Sequence, residues 1–535
     1  MQTPSPRARP LTVAESPPAP AARAAMLRAL RALRAGPGAS RVLAVLAGLA
    51  LAGAFAPFKL WPCAVLAPAV LLWLWMRATS PREAALLGFA FSAGTYGAGT
   101  WWLYISIHGF GQAPVWLALL LLVALVGIMS AWQALLGYAL ARWLPRTPGL
   151  GTLVAMPSAW MLVEWWRGWF LSGFPWLSLG YSQTDTWLRG FAPVGGVYLV
   201  SAVLLLGAGG LVTLVQARGP LRVLGAALLV LPWPLGLALD HIDWTQPQGA
   251  AASVAILQGA IPQDQKWLDS NRDTTLDLYR RLHTEALGAR LIVWPESAPP
   301  DLANNIPRYL SGIWSSARAL DSDVLMGVVR VAGDGETYYN SILAMGAGEP
   351  AFYDKHHLVP FGEYFPVPSF VRQWLRLMSL PYSDFTPGGT EQPPLVAGGM
   401  KLAASICYED AYPGAQRHAM RDATMLVNVT NDAWFGRAGA RYQHFQIARM
   451  RAIESRRFML RAANDGVSAV IDERGRVVAA APEYEPAVLR GMAQPRAGGT
   501  PWLATGNAPV IAAAAVALAL LGGGPWLRRR RPATP

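Results

Sequence analysis

"LAASICYEDAYP", residues 402–413, runs an apolar, strand-like stretch into Cys407 and at once into Tyr408, Glu409 and Asp410. A thiol delivered at the end of a strand sits where layered α/β domains keep their sites, because rigid strands fix the side chains that project into a crevice. The chain holds only two cysteines, Cys63 and Cys407, so no disulfide framework is available. Taken alone, Cys407 is either buried filler or chemistry. The neighbouring Glu409 and Asp410 are expected to raise its pKa.

Two further strand-like runs end in reactive groups: "LIVWPES" in Glu296 and "PAFYDKHH" in Lys355. A carboxylate, an ammonium and a thiol make a complete acyl-transfer set. The carboxylate takes the thiol proton, the thiolate attacks a carbonyl carbon, and the ammonium stabilises the oxyanion. Around them, "SVAILQG", "VLMGVVR", "NSILAMG", "TMLVNVTND" and "VSAVID" read as strands, with helical patterns near 273–288 and 440–459. This segment, residues 240–505, is rich in Asp, Glu, Asn and Gln and has the size and alternation of a layered α/β or α+β domain.

The remainder is of a different kind. Of the 535 residues 53% are hydrophobic and 14% charged, a balance that points to membrane embedding. Apolar segments of roughly spanning length lie near 41–57, 62–76, 84–105, 114–141, 149–170, 190–217 and 221–239, with an eighth near 508–527. Small residues and tryptophans within them suit close helix packing and interfacial anchoring. The net charge of +13 resides largely in the termini and short loops, which argues against nucleic-acid binding. Arg77, Arg82, Arg142, Arg146, Arg218 and Arg222 occupy the second, fourth and sixth loops, whereas the first and third carry only Lys59. Positive loops face the cytoplasm. The expected organisation is therefore a basic, disordered cytoplasmic arm over 1–40, seven spans over 41–239, an external domain over 240–505, an eighth span over 506–527 and a basic cytoplasmic tail over 528–535.

The ordered motifs "QGAIPQDQKW", "WPES", "DKHHLVPFGEYFP", "ICYEDAYP" and "NVTNDAWFG" resemble the nitrilase superfamily and, within it, the membrane-embedded apolipoprotein N-acyltransferases. The resemblance covers about residues 41 to 530. It implies a multi-pass helical membrane domain of about eight spans carrying a periplasmic αββα nitrilase-like sandwich, in a bacterial inner membrane. It also implies transfer of an acyl chain from a glycerophospholipid, typically phosphatidylethanolamine, to the N-terminal amine of a diacylglyceryl-cysteine apolipoprotein, by a ping-pong route through a cysteine thioester. On the matching positions Glu296 is the general base, Lys355 the oxyanion stabiliser and Cys407 the nucleophile; Glu363, Tyr408, Glu409 and Trp267 fall on further positions used for activity.

Several residues keep two readings. Glu363 either holds Lys355 or the base in place or caps a loop, and Tyr408 and Glu409 support the site from the start of a helical turn. Trp267 is a core aromatic or a lipid-contacting flap residue. Asn431, Asp432 and Trp434 read as a turn supporting the pocket, and Glu164 and Arg167 as a helical pair or interfacial groups. His356 and His357 lack partners at zinc spacing, so no metal is expected, and no cofactor is required because the acyl ester is already activated. The stretch 368–398, with Trp374 and Leu377, reads as a surface lid or as core. The rivals are a membrane-tethered amidohydrolase with the same triad and a membrane scaffold or transporter.

Overall fold

The computed structural model describes residues 36–364 and 385–529. Trp374 and Leu377 lie outside the described residues.

The N-terminal body is helical. Its helices are α1 (Gly36–Ala52), α2 (Cys63–Arg77), α3 (Pro81–Gly99), α4 (Val115–Trp143), α5 (Met156–Arg167), α6 (Ala192–Gln216), α7 (Pro220–Val230) and α8 (Pro232–Asp240). Among the described residues, three helical stretches are long and apolar enough to cross a membrane: Val115–Trp143, Trp187–Gln216 and Pro220–Asp240. Gly38–Ala52, Cys63–Arg77 and Ala508–Gly522 are shorter apolar helices.

Three of the apolar segments are less regular than their composition suggests. The one near 84–105 ends its α-helix at Gly99 and reaches a wide turn, Ile105–Phe110. The one near 149–170 opens as a wide turn, Leu150–Ala155, before α5. The last is split between α7 and α8 at Leu231–Pro232, where proline lacks the N–H that a continuous helix requires. Small residues do bring helices together: a Cβ on Gly48 of α1 would run into the backbone carbonyl of Phe91 on α3.

The second unit is built on two six-stranded sheets. The first sheet has the order β13 (Ala487–Ala493), β2 (Ala252–Gln258), β3 (Leu291–Val293), β4 (Asp323–Val331), β5 (Tyr338–Met345), β6 (Ala351–Asp354). The second runs β12 (Val477–Ala480), β11 (Ala469–Ile471), β10 (Met459–Ala463), β9 (Met425–Thr430), β8 (Met400–Ile406), β7 (Leu395–Ala397). In each, three central strands are parallel, β2–β3–β4 and β8–β9–β10, with antiparallel strands at the edges. A short ribbon pairs β1 (Thr245–Pro247) with β14 (Arg496–Gly498) and ties the start of the domain to its end.

Alternation along the strands separates the layers. Val254, Ile256, Val293 and Leu325 face Leu402, Ala404, Ile406 and Val427 between the sheets. Ala255, Leu257, Ile292 and Met326 point outward onto α9 (Asp269–Ala286) and α10 (Pro307–Arg318). Ala403, Leu426 and Met459 point outward onto α11 (Arg417–Asp422) and α12 (Ala440–Ser455). With both faces covered, the central strands read as continuous apolar runs. The result is an αββα sandwich, followed by α13 (Pro501–Thr505) and α14 (Ala508–Arg529).

The helical pattern near 440–459 extends too far. Arg456, in the left-handed conformation at φ 52°, ends α12, and β10 begins at Met459. Helix α12 also joins the two units: Ile447, Met450 and Ile453 share an apolar cluster with Ala192, Val197 and Trp176 of the helical body. Gln443 Oε1 accepts from Trp102 Nε1 at 3.2 Å and Trp176 Nε1 at 2.6 Å, and Glu454 Oε1 accepts from the Val197 amide at 2.7 Å. Glu164 and Arg167 do not pair. Glu164 Oε1 accepts from the Leu179 amide, and Arg167 donates to the carbonyls of Phe174 and Trp176 and to Ser178 Oγ.

Candidate active site

Glu296 follows β3, Lys355 follows β6 and Cys407 follows β8, so three strands deliver the three reactive groups to one region between the sheets. Cys407 opens a tight 3-10 turn, Cys407–Ala411, with φ 51°. That left-handed conformation is unfavourable for a residue with a Cβ and requires the surroundings to hold it.

Glu296 is 7% exposed. Its Oε1 accepts from Asn340 Nδ2 at 2.8 Å and faces Lys355 Nζ at 3.5 Å, while Oε2 accepts from the Asn431 amide at 2.9 Å. Lys355, buried, donates to Glu363 Oε1 at 2.7 Å. Glu363 also accepts from Asn340 Nδ2 at 3.0 Å and, through Oε2, from the Val359 amide at 2.8 Å. Burial works against the charge on Lys355, but Glu363 and Glu296 outweigh it and hold the ammonium protonated well above its usual range. Of the two readings for Glu363, the geometry is that of a carboxylate clamping Lys355.

The thiol of Cys407 is pushed far up, first by burial and then by Glu296, against the opposing pull of Lys355. Its sequence neighbours are not the cause. Glu409 is turned away, accepting from Tyr353 Oη, from the amides of His356 and His357 at 2.8 and 3.1 Å, and from the Ile406 amide at 2.7 Å. It thereby ties the Lys355 loop to the cysteine turn, and burial raises its own pKa. Asp410 is taken up by His444 and Arg461. A side chain's charge acts where it points, and adjacent residues in a tight turn point in different directions.

Tyr408 stacks on Trp176 with ring centroids 6.1 Å apart, and its hydroxyl lies 3.4 Å from the Gly173 carbonyl, so it docks the turn on the helical body. Trp267 is 50% exposed, which excludes the core reading. Its neighbour Lys266, which the motif reading passed over, is 2% exposed and donates to the Glu296 carbonyl at 3.1 Å. Burial lowers its pKa to about 8 against Glu296 and Cys407. Asn340 was equally hidden. An asparagine inside an apolar strand carries no motif, yet it bridges both site carboxylates.

His356 and His357 are spent on backbone carbonyls, Nδ1 of His356 on Gly388 and Nε2 of His357 on Ser172. Burial lowers His357 to about 4. Among the described residues no group of three His, Cys, Asp or Glu side chains is arranged to hold a metal. Asn431 holds the Glu296 carboxylate through its amide and is itself held by Gln263 and Asn464. Trp434 is partly exposed, and its carbonyl accepts from Ser106 Oγ of the helical body.

A thiol, a carboxylate in contact with a clamped ammonium, and an αββα scaffold define a carbon–nitrogen hydrolase type of domain, and the family model for carbon-nitrogen hydrolases matches residues 253–495. The model for the apolipoprotein N-acyltransferase N-terminal domain matches residues 47–210. Apolipoprotein N-acyltransferases of Methylococcus capsulatus and Vibrio vulnificus are 41% and 39% identical, each alignment covering 92% of this chain and 97% of the relative. That of Azotobacter vinelandii is 42% identical over 92% of this chain and 96% of its own. The chain belongs to the apolipoprotein N-acyltransferase family.

Proposed function

We propose that the protein transfers an acyl chain from a glycerophospholipid, with phosphatidylethanolamine as the donor, to the N-terminal amine of the diacylglyceryl-cysteine of apolipoproteins. Glu296 takes the proton from Cys407 Sγ as the sulfur attacks the ester carbonyl. Lys355 neutralises the oxyanion of the tetrahedral intermediate, with Glu363 keeping it in place. The intermediate collapses as Glu296 returns the proton to the departing lysophospholipid oxygen, leaving a thioester on Cys407. The neutral amine of the acceptor then attacks the thioester. Glu296 removes the amine proton, the C–S bond breaks, and the thiol is restored by that proton.

The observation that carries this reading is the Glu296–Lys355–Glu363 cluster set against a half-buried thiol in a chain of this family. A thiol that is neutral at rest ionises only when a base and a substrate carbonyl meet it. Tyr408, Glu409 and Trp267 serve as support, and the exposed Trp267 meets lipid. In the same reading eight segments span the bacterial inner membrane, both termini lie in the cytoplasm and the sandwich faces the periplasm.

The test is mass spectrometry of the detergent-purified protein incubated with phosphatidylethanolamine. A hydroxylamine-labile acyl group on Cys407, discharged onto a diacylated lipopeptide, supports the transferase. Discharge to water alone supports the amidohydrolase alternative, and absence of the adduct rejects the triad.

A further inference from the structure

The second sheet places a cluster beneath the nucleophile that the acyl-transfer steps do not use. His444, Asp410, Asp432 and Arg461 are each no more than 1% exposed. His444 Nδ1 is 2.8 Å from Asp432 Oδ1, and its Nε2 is 2.9 Å from Asp410 Oδ1 and 3.1 Å from the Cys407 carbonyl oxygen. Arg461 closes the other side, donating to Asp410 Oδ2 at 3.1 Å, Asp432 Oδ2 at 3.0 Å and Asn428 Oδ1 at 2.7 Å. Arg461 Nη2 also lies 3.0 Å from Nδ1, but a carboxylate oxygen lies closer to each ring nitrogen, an arrangement that favours the imidazole as a cation donating from both. Two cations and two anions then balance.

Burying four charges is expensive, and apolar residues of similar volume would often serve stability as well. What an apolar replacement cannot do is donate to the Cys407 carbonyl. That carbonyl belongs to the residue held at φ 51°. Thr430 connects the cluster to the sulfur: its hydroxyl donates to Asp432 Oδ1 at 3.1 Å, and it acts to lower the pKa of the Cys407 thiol.

We infer that His444 is a positioning residue for the nucleophile: clamped between Asp410 and Asp432, it holds the Cys407 carbonyl in the turn that presents the thiol, and its charge offsets the two carboxylates beneath the sulfur. This rests on the acyl-transfer reading for the role of the thiol. Facing His444 are Asp410 from the cysteine turn, Asp432 from the turn after β9, Arg461 from β10, and the rings of Trp176 and Phe435. The charged groups acting most strongly on Cys407 are Glu296, Lys355 and Asp432, and Lys266 also faces it.

The experiment follows iodoacetamide alkylation of Cys407 across pH, read by peptide mass spectrometry on the full chain in detergent, alongside thioester formation from phosphatidylethanolamine. His444→Gln keeps an amide able to donate to the carbonyl but removes the charge. Its alkylation midpoint rises by roughly one pH unit, and kcat falls about tenfold or more with KM little changed. His444→Leu, lacking the donor, falls further, so Gln is a partial rescue. Asp410→Asn removes the carboxylate that does most to keep the imidazole charged and is not among the groups acting most strongly on the sulfur, so its midpoint moves up, as in His444→Gln. Wild-type midpoints and kcat in folded His444→Gln and Asp410→Asn, or midpoints that move in opposite directions, overturn the inference. If the His444 variants do not fold, Asp410→Asn decides: a higher midpoint supports it, an unchanged or lower one rejects it. A wild-type protein that forms no thioester, with variants whose alkylation midpoints rise, sinks the acyl-transfer reading and leaves the positioning role standing.

Discussion

Two clusters of buried charge meet at Cys407, and they are paired in different ways. On the second sheet, all four carboxylate oxygens of Asp410 and Asp432 are met at 2.8 to 3.1 Å by His444, Arg461 or Thr430. On the first sheet the oxygens of Glu296 and Glu363 are also met, at 2.7 to 2.9 Å, but Glu296 takes only the neutral donors Asn340 and the Asn431 amide at that range and lies 3.5 Å from Lys355 Nζ. A network of closely paired charges fixes geometry, whereas a carboxylate held by neutral donors can take up a proton in transit. In the proposed mechanism the difference separates the half that reacts from the half that holds.

Removing the thiol breaks the reactive half most completely: Cys407→Ala lowers transfer by roughly 10⁴-fold or more while the melting temperature is kept. Next is Glu296→Gln, which keeps the size of the base but not its proton affinity and slows thioester formation by about 10²- to 10⁴-fold in single-turnover acylation. Lys355→Met slows acylation by about 10²- to 10³-fold and also destabilises, because Glu296 and Glu363 are left buried without their cation. A matching loss of both activity and melting temperature distinguishes it from Glu296→Gln.

The holding half responds through stability. His444 is worked on first by burial, which disfavours its charge, but Asp410 and Asp432 raise its pKa to about 9 from an ordinary 6.5. A raised pKa stabilises the fold in full below about pH 6.5, and that contribution is lost as pH rises through about 9. The stability gap between wild type and His444→Gln is therefore expected to be widest at low pH, on the order of a few kcal/mol, and to narrow toward pH 9, as read by melting temperature. The smallest effect is expected of Glu409→Gln, which leaves some of the donors now on Glu409 unmet and destabilises by about 1 to 3 kcal/mol, with a modest loss of kcat through the Lys355 loop.

The reactive half was legible in the sequence because Glu296, Lys355 and Cys407 each end an apolar run, a pattern that survives without knowledge of neighbours. The holding half was not. Arg461 lies inside "MLRAA", a run whose start a helical pattern had absorbed, and His444 sits on a buried helix with no motif to mark it. Asn340 and Lys266 acquire their roles only when β5 and the loop before α9 are brought against Glu296. Glu409 and Asp410 neighbour the thiol along the chain, but in the fold burial and Glu296 raise its pKa instead. In the helical body, composition marked the apolar segments but not the wide turns at 105–110 and 150–155 or the break at Pro232.

In the proposed mechanism Glu296 both suppresses the resting thiolate and serves as its base. That dual role is tested most directly by measuring, in Glu296→Gln, the pH midpoint of Cys407 alkylation and the rate of acylation by phosphatidylethanolamine. Opposite movements are expected: the midpoint falls, because a negative charge beside the sulfur is gone, while acylation is lost. A midpoint that stays or rises, or an acylation rate that survives, contradicts that role.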